Sequence, residues 1–389
     1  MIIHAILSII TNGIIMFNGI DYKFKISASG RINVIGEHVD YCGGKVFPAA
    51  ISLKNDVYIR PNGTNRINLS WTTLNETVSL DIDKLDSYRG LKYGNYQAGA
   101  ACFLKRAGFT ISGCDILSDC KIPFGSGLSS SAAIEVSTIK ALLTLSGEYL
   151  SDVDIAILAQ KVEREYVGVN CGIMDQYASA CGKRDSALIL DCKTLECEYV
   201  PFNLKNCSLL IANCNKPHNL IESKYNERRT EVERALDILK NKFDISCLAD
   251  LTTEDFFSTE FLLDDTLKKR ARHVVCECER VNLAKEAMIS GNLKELGRLL
   301  NASHASLRDL YEVTGSELDA LQKAASENQY CLGSRMSGGG FGGCTISLVL
   351  ADKIDVFKQT VIEKYEKEIG YSPTFYDVDI SDGITVELL

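Results

Sequence analysis

The sequence predicts two α+β domains, because strand patterns and helix patterns alternate in both halves of the chain. In the first half, alternating apolar residues indicate strands at 22–26 and 31–35, and helical spacing follows at 95–108, 128–146 and 152–167. The second half begins after about residue 195. It combines strand patterns at 209–212, 345–349 and 374–379 with helical patterns at 220–242, 267–290, 292–300, 315–327 and 352–368. We expect an N-terminal domain over 1–195 and a C-terminal domain over 196–389, with room for the last strand to return to the first lobe.

The bulk composition narrows the class of protein. With 389 residues and a net charge of −9, the chain lacks the basic surface typical of non-specific nucleic-acid binders and anionic-membrane proteins. Fifteen cysteines, five histidines and no C-x-x-C pair argue against a metal cluster and favour free thiols in a reducing cytosol. We therefore expect a cytoplasmic monomer whose partners are small molecules, not nucleic acid or membrane.

Residues 1–17 form an apolar run that is interrupted by Ser8, Thr11, Asn12 and Gly13. The run has no early basic residue, as a signal peptide would, and is short for a membrane span. We interpret it as a buried strand or helix.

A glycine- and serine-rich loop leads directly into the helix predicted at 128–146. Glycines leave room for an anion, and the first turn of a helix offers unpaired N–H groups and a partial positive charge. This pattern predicts a phosphate site, although it lacks the lysine of a P-loop. A serine-capped helix after a glycine turn is the simpler alternative. The candidate nucleotide-binding residues here are Gly125, Ser126, Gly127, Leu128, Ser129, Ser130 and Ser131.

Charged residues crowd a second turn, GRINVIGEHVDY at 30–41. Arg31, Glu37, His38 and Asp40 are the donors and acceptors that a polyhydroxylated ligand needs. The alternative is a solvated turn in which Arg31 pairs with Glu37 or Asp40.

Two further carboxylates are candidates for chemistry. Asp175 follows Gly172-Ile173-Met174 at a predicted helix start, where it would act either as a proton acceptor or as an N-cap. Glu163 is a candidate Mg²⁺ ligand, with an exposed, paired helix charge as the alternative. For Glu165 we prefer that surface interpretation.

These motifs, together with SRMSGGGFGGCTISLV at 334–349, CGIMDQ and SKYNERR, resemble the GHMP kinase superfamily and, within it, the galactokinase family. The resemblance covers most of residues 24–380. It implies a two-lobed GHMP-kinase-type fold with the active site between the lobes. It also implies ATP-dependent phosphorylation of the anomeric hydroxyl of α-D-galactose to galactose 1-phosphate, the first step of the Leloir pathway.

The resemblance also implies residue roles. Asp175 is the expected base, with Arg31 beside it. The expected sugar ligands are Glu37, His38, Asp40, Tyr225 and the backbone at Gly172. The loop 125–131 is expected to bind the ATP phosphates, Tyr93 to lie near adenine, and Ser131 with Glu163 to lie near Mg²⁺.

Some positions depart from the family pattern. Ser29 replaces a proline, Val39 replaces a threonine, and Pro217-His218 replaces a basic pair. Two alternatives stay open: a sibling kinase for N-acetylgalactosamine or another sugar, and a non-catalytic galactose and ATP sensor. The intact Ser131-Ala132 step argues against the sensor.

Overall fold

A computed structural model describes residues 9–11, 14–17, 20–216 and 221–389. The strands are β1 (Ile9–Thr11), β2 (Ile14–Phe17), β3 (Ile20–Asp21), β4 (Phe24–Asn33), β5 (Lys45–Val46), β6 (Pro48–Pro61), β7 (Arg66–Trp71), β8 (Thr77–Asp81), β9 (Cys114–Cys120), β10 (Ser186–Asp191), β11 (Cys197–Pro201), β12 (Cys207–Asn213), β13 (Cys331–Ser337), β14 (Cys344–Leu350), β15 (Thr374–Tyr376) and β16 (Thr385–Leu388). The helices are α1 (Asn95–Arg106), α2 (Ser130–Ser146), α3 (Asp152–Val162), α4 (Met174–Cys181), α5 (Ile221–Leu239), α6 (Thr253–Thr259), α7 (Asp265–Ser290), α8 (Leu293–Ser306), α9 (Ser316–Ser326) and α10 (Ile354–Ile369).

The N-terminal lobe is built on a six-stranded sheet in the order β16-β4-β6-β9-β7-β8. Helix α2 packs against β4 and β6, and α1, α3 and α4 surround α2. The apolar residues that recur at steps of three or four along this helix are buried: Leu128, Ala132, Val136, Ile139 and Leu143 are each at most 2% exposed. Burial of this stripe fixes the position of the phosphate-loop candidate, because that loop leads directly into α2.

The C-terminal lobe contains a four-stranded sheet in the order β13-β14-β12-β15, with α8 and α9 packed against β13. The last strand leaves this lobe and pairs antiparallel with β4, where Thr385 lies opposite Ser27. The chain therefore ends in the sheet that carries Arg31.

Most predicted elements are confirmed, and two differ in an informative way. The two strands expected at 22–26 and 31–35 are one continuous strand, β4, which accommodates Gly30 as an irregularity in its pairing with β6. The helix expected at 152–167 ends as α-helix at Val162 and continues as a π-helical turn, Glu163–Val167. The apolar start of the chain contains β1 and β2, whose side chains lie outside the described structure.

A search of the described residues finds no helix that combines the length and the apolar character needed to cross a membrane.

Candidate active site

Strand β4 positions Arg31 in the cleft between the lobes. Its guanidinium donates to Asp175 Oδ1 from Nε at 2.8 Å and from Nη2 at 2.7 Å, and to the Gly127 carbonyl from Nη1 at 2.5 Å. The side chain is only 3% exposed. The alternative pairing with Glu37 or Asp40 is wrong: this cation bonds to the carboxylate that follows it by 144 residues.

Asp175 lies in the first turn of α4, one residue after the helix begins, and Ile173 takes the N-cap position. The N-cap interpretation of Asp175 is therefore wrong. Its second oxygen, Oδ2, accepts a hydrogen bond from the Ser129 hydroxyl at 2.7 Å. The arginine and the serine together fix the orientation of the carboxylate, at the positive end of α4.

Glu37 joins the two lobes. The side chain is 1% exposed, and its Oε1 accepts from the backbone N–H of Gly338 at 2.8 Å and from Nη2 of Arg335 at 3.1 Å. Arg335 is fully buried and also donates to the Asn33 and Val34 carbonyls. This buried pair holds the polar turn of the N-terminal lobe against the glycine-rich loop of the C-terminal lobe.

His38 is a neutral imidazole with both nitrogens partnered. Nδ1 lies 2.7 Å from the Tyr41 hydroxyl and Nε2 lies 3.2 Å from the Gly339 carbonyl. Burial lowers the pKa of His38 to about 3, so the ring is uncharged near neutral pH. The bond to the carbonyl places the proton on Nε2, and Nδ1 then accepts from Tyr41. Both nitrogens thus bind protein groups here.

Asp40 and Gly172 are in direct contact. A Cβ added to Gly172 would lie 1.8 Å from Asp40 Oδ2, so only glycine leaves space for this carboxyl group. Burial, and then the nearby Asp175 charge, raise the pKa of Asp40 to about 7. Tyr225 completes this wall, with its ring centroid 5.5 Å from those of His38 and Tyr41.

All seven predicted catalytic and sugar-binding residues line one cavity. Its walls are formed by Arg31, Glu37, His38, Asp40, Cys171, Gly172, Met174, Asp175, Tyr225, Gly338 and Gly339. The sequence did not point to Cys171, Met174, Gly338 or Gly339 as candidate site residues.

The phosphate-loop candidate joins the cavity through its backbone. Gly125 and Gly127 have φ values of 68° and 75°. A Cβ on Gly127 would lie 3.0 Å from the Ser337 carbonyl oxygen, so the loop contacts the third motif backbone to backbone. Two of its hydroxyls already bind protein groups: Ser126 donates to the Pro123 carbonyl at 2.6 Å, and Ser129 donates to Asp175. Ser130 and Ser131 are half-buried at the start of α2, and Leu128 is buried.

Glu163 is not a surface charge, so the surface interpretation of this residue is wrong. It is 7% exposed, and Oε2 accepts from Gln176 Nε2 at 2.5 Å. Burial, and then the Asp175 charge, raise the pKa of Glu163 to about 7, while the neighbouring Ser131 hydroxyl opposes the rise. Ser131 and Glu163 therefore provide adjacent oxygens, as Mg²⁺ prefers. Glu165, by contrast, is exposed as expected.

Tyr93 lies half-buried just before α1, with its ring centroid 6.1 Å from that of Trp71. Trp71 comes from the end of β7 and was not assigned from the sequence. No local pattern signals this pairing, since the two residues belong to different elements.

The departures from the family pattern have structural explanations in two cases. The Ser29 hydroxyl donates to the Asp382 carbonyl at 2.6 Å and so ties β4 to the C-terminal segment. Val39 is fully buried against Gly44 and does not line the cavity. Pro217-His218 lies outside the described residues.

Comparison with known proteins shows the family to which the chain belongs. Three family models match the chain: "GHMP kinases N terminal domain" at 95–183, "Galactokinase galactose-binding signature" at 17–61 and "GHMP kinases C terminal" at 284–367. A galactokinase from Clostridium tetani is 45% identical over 356 residues, 91% of each chain. The chain belongs to the galactokinase family. A second galactokinase, from Lactococcus lactis subsp. cremoris, is 43% identical over 94% of this chain and 92% of its own length.

Solved structures extend the comparison to the fold. Lactococcus lactis galactokinase, crystallised with galactose, superposes with a TM-score of 0.91 at 42% identity, covering 93% of this chain and 95% of its own. The mevalonate kinase of Methanococcus jannaschii matches with a TM-score of 0.64 at 20% identity, which shows a shared fold alone. The two-lobed GHMP-kinase-type fold expected for the chain is confirmed.

Proposed function

We propose that this protein transfers the terminal phosphoryl group of Mg-ATP to the anomeric hydroxyl of α-D-galactose. The observation that carries the proposal is the position of Asp175. Its carboxylate is oriented by Arg31 and Ser129, and it lies in a cavity whose other walls are the polar turn and Tyr225. A base placed between a sugar site and a phosphate loop is what phosphoryl transfer to a sugar requires.

The sugar is held by a small set of polar groups. Glu37 and Asp40 accept hydrogen bonds from sugar hydroxyls, and the Tyr225 hydroxyl and the backbone at Gly172 add further contacts. His38, whose ring nitrogens bind Tyr41 and Gly339, contributes chiefly by fixing the shape of this wall. Because Glu37 binds Arg335 and Gly338 through Oε1, its Oε2 is the oxygen left to meet the sugar.

In the reaction, the C1 hydroxyl oxygen attacks the γ-phosphorus, and Asp175 accepts the hydroxyl proton. The new O–P bond forms as the bond to the β-phosphate oxygen breaks, and ADP leaves. Arg31 orients the Asp175 carboxylate and stabilises the developing alkoxide. A positioned base is worth about 10²–10⁴ in rate, and orientation of the reactants contributes further.

The nucleotide lies on the other side of Asp175. Residues 125–131 bind its phosphates through backbone N–H groups and the Ser130 and Ser131 hydroxyls, and Tyr93 lies near the adenine ring. Ser131 and Glu163 would hold the Mg²⁺ of Mg-ATP, which neutralises charge on the β- and γ-phosphates when bound.

We place the enzyme in the cytoplasm, since its fifteen cysteines are all unpaired, as in a reducing compartment. We expect it to act as a monomer without nucleic-acid or membrane partners.

A product assay tests the function. Purified protein is incubated with Mg-ATP and either galactose, N-acetylgalactosamine, glucose or arabinose, and the sugar phosphates are identified by ³¹P NMR. We expect galactose 1-phosphate as the main product. A folded protein that forms no galactose 1-phosphate contradicts the proposal. Preferential phosphorylation of N-acetylgalactosamine would point to the sibling kinase, and binding of both ligands without ADP release would point to the sensor.

A further inference from the structure

Two buried carboxyl groups and one buried amide lie close to Asp175. Glu135 is on α2, one turn after Ser131, Gln176 follows Asp175 on α4, and Glu163 begins the π-helical turn. Glu135 and Gln176 are 0% exposed and Glu163 is 7% exposed. The roles proposed above use Glu163 only, so Glu135 and Gln176 lack an assigned part.

The Gln176 amide connects the two acids. Its Nε2 donates to Glu163 Oε2 at 2.5 Å, and the amide lies beside the Glu135 carboxyl group. An amide nitrogen carries two hydrogens, so it is able to serve both carboxyl groups at once. Within residues 20–216 and 221–389, the two Glu135 oxygens and Gln176 Oε1 have no partner at normal hydrogen-bond geometry.

Glu135 is energetically unfavourable at this position. An ionised, unpartnered carboxylate inside a protein costs several kcal/mol, so burial and the neighbouring Glu163 raise the pKa of Glu135 well above its ordinary value. Leucine would pack in this part of α2 without that cost. The carboxyl group therefore contributes something other than stability.

We propose that Glu135 and Gln176 are positioning residues, whose bridge from α2 to the turn at Glu163 holds the metal carboxylate at a fixed distance from Asp175. The bridge includes the residue directly after the base, so it couples the orientation of the α4 start to that of Glu163. The inference rests on the proposed function, in which Glu163 takes part in holding the Mg²⁺ of Mg-ATP.

Four variants test the bridge. Glu135→Leu and Gln176→Met each remove it while keeping most of the volume, and Glu135→Gln keeps an uncharged hydrogen-bonding group of the same shape. Ser179→Ala is the matched control, because Ser179 is also on α4, fully buried and without a hydroxyl partner in the described structure. The main readout is Mn²⁺ affinity, measured by electron paramagnetic resonance with the non-hydrolysable analogue AMP-PNP and galactose present. The steady-state rate, the KM for galactose and the thermal midpoint are measured alongside.

We expect Glu135→Leu and Gln176→Met to bind Mn²⁺ about 10- to 100-fold more weakly, the loss typical of groups that orient a metal ligand. The rate at a fixed Mg²⁺ concentration should fall in parallel, while the KM for galactose stays within about twofold of the wild-type value. Glu135→Gln and Ser179→Ala should match the wild type, and Glu135→Leu should keep or raise the thermal midpoint.

Wild-type Mn²⁺ affinity in either bridge-removing variant overturns the proposal, and so does a Glu135→Gln variant as weak as Glu135→Leu. If Glu135→Leu does not fold, Gln176→Met decides the matter alone. Failure of both to fold assigns the pair a structural role and also overturns the proposal. The Mn²⁺ titration needs no turnover, so these outcomes are separate from a wild-type protein that fails to phosphorylate galactose.

Discussion

Two groups of residues contain enclosed carboxyl groups, and they differ in how those carboxyl groups are partnered. The first, which we call the clamp, consists of Glu37, Glu277 and Arg335. Glu277 accepts from the Gly36 N–H at 3.1 Å, from the Ser303 hydroxyl at 2.6 Å and from Arg280 Nε at 2.6 Å. Burial alone would raise its pKa, but Arg280 and these hydrogen bonds lower the pKa of Glu277 to about 2.

The second group, the acid cluster, consists of Asp40, Glu135 and Glu163. Asp40 is half-buried, and Glu135 and Glu163 are buried. Burial raises the pKa of all three carboxyl groups, and the charge of Arg31 opposes the rise only in part at Asp40 and Glu163. The polar groups of the clamp are hydrogen-bonded to other protein groups, and they hold the polar turn at 30–41 in its shape. In the acid cluster, the protein supplies fewer partners to the carboxyl groups, as expected for groups that bind sugar hydroxyls or a metal.

The largest effect is expected from breaking the clamp. Glu277→Ala leaves Arg280 and the Gly36 N–H without a buried partner and should lower the free energy of unfolding by about 3–5 kcal/mol. Urea denaturation at pH 7 measures this loss. Glu279→Ala, an exposed change on the same helix, should stay within about 0.5 kcal/mol of the wild type. A Glu277→Ala protein as stable as this control would show that the clamp is not structural.

The next largest effect is expected from removing the Arg31 side chain. Arg31→Ala removes the group that orients Asp175 and should reduce kcat by about 10²–10³, the usual loss for one electrostatic donor. The comparison that matters is with Lys25→Ala, a change on the same strand whose partner, Asp56, lies outside the cavity. Equal rates in the two variants would remove Arg31 from the proposed mechanism.

A smaller effect is the pH dependence of the free energy of unfolding, which has opposite signs for Asp40 and Glu277. The folded pKa of Asp40, about 7, lies above its unfolded value near 3.8, so this group costs stability increasingly as pH rises from 4 to 7. Asp40→Asn should therefore raise the free energy of unfolding at pH 8 by on the order of 1–2 kcal/mol, and the gain should vanish near pH 4. Glu277 has the opposite sign, because its folded pKa is depressed: its contribution is present above pH 4.5 and is lost toward pH 2.

Unfolding curves at pH 8 and pH 4 check this expectation, with the exposed Asp244→Asn as control. Asp40→Asn should also raise the KM for galactose at least about 10-fold, the loss of one good hydrogen bond to a charged group. A variant that is less stable at pH 8 and binds galactose normally would place Asp40 with the clamp.

The sequence predicted most of the fold and seven residues that line one cavity, because helical periodicity and contiguous motifs are local signals. It did not predict the contacts between one motif and another. Gly172 was assigned by resemblance, but its contact with Asp40 explains why no side chain fits there. Arg335 was quoted in a motif without a role, since its partners Glu37 and Asn33 are about 300 residues away.

Glu135 was missed although a local signal existed. It follows Ala132 by three residues and precedes Ile139 by four, so it lies on the apolar stripe of α2 as an acid among aliphatic residues. A charged residue at a position that periodicity assigns to the core is a useful sign of a functional site. Its partner Gln176 required the structure, because the contact joins two helices that are far apart in sequence.

The most direct test of the account is the Asp175→Asn variant, which keeps the shape of the side chain and removes its ability to accept a proton. Galactose affinity is measured by calorimetry, and the rate of galactose 1-phosphate formation is measured in a single turnover with Mg-ATP. We predict galactose binding within a few-fold of the wild type and a rate reduced by about 10²–10⁴ or more. A folded Asp175→Asn protein that forms galactose 1-phosphate at the wild-type rate would contradict the account.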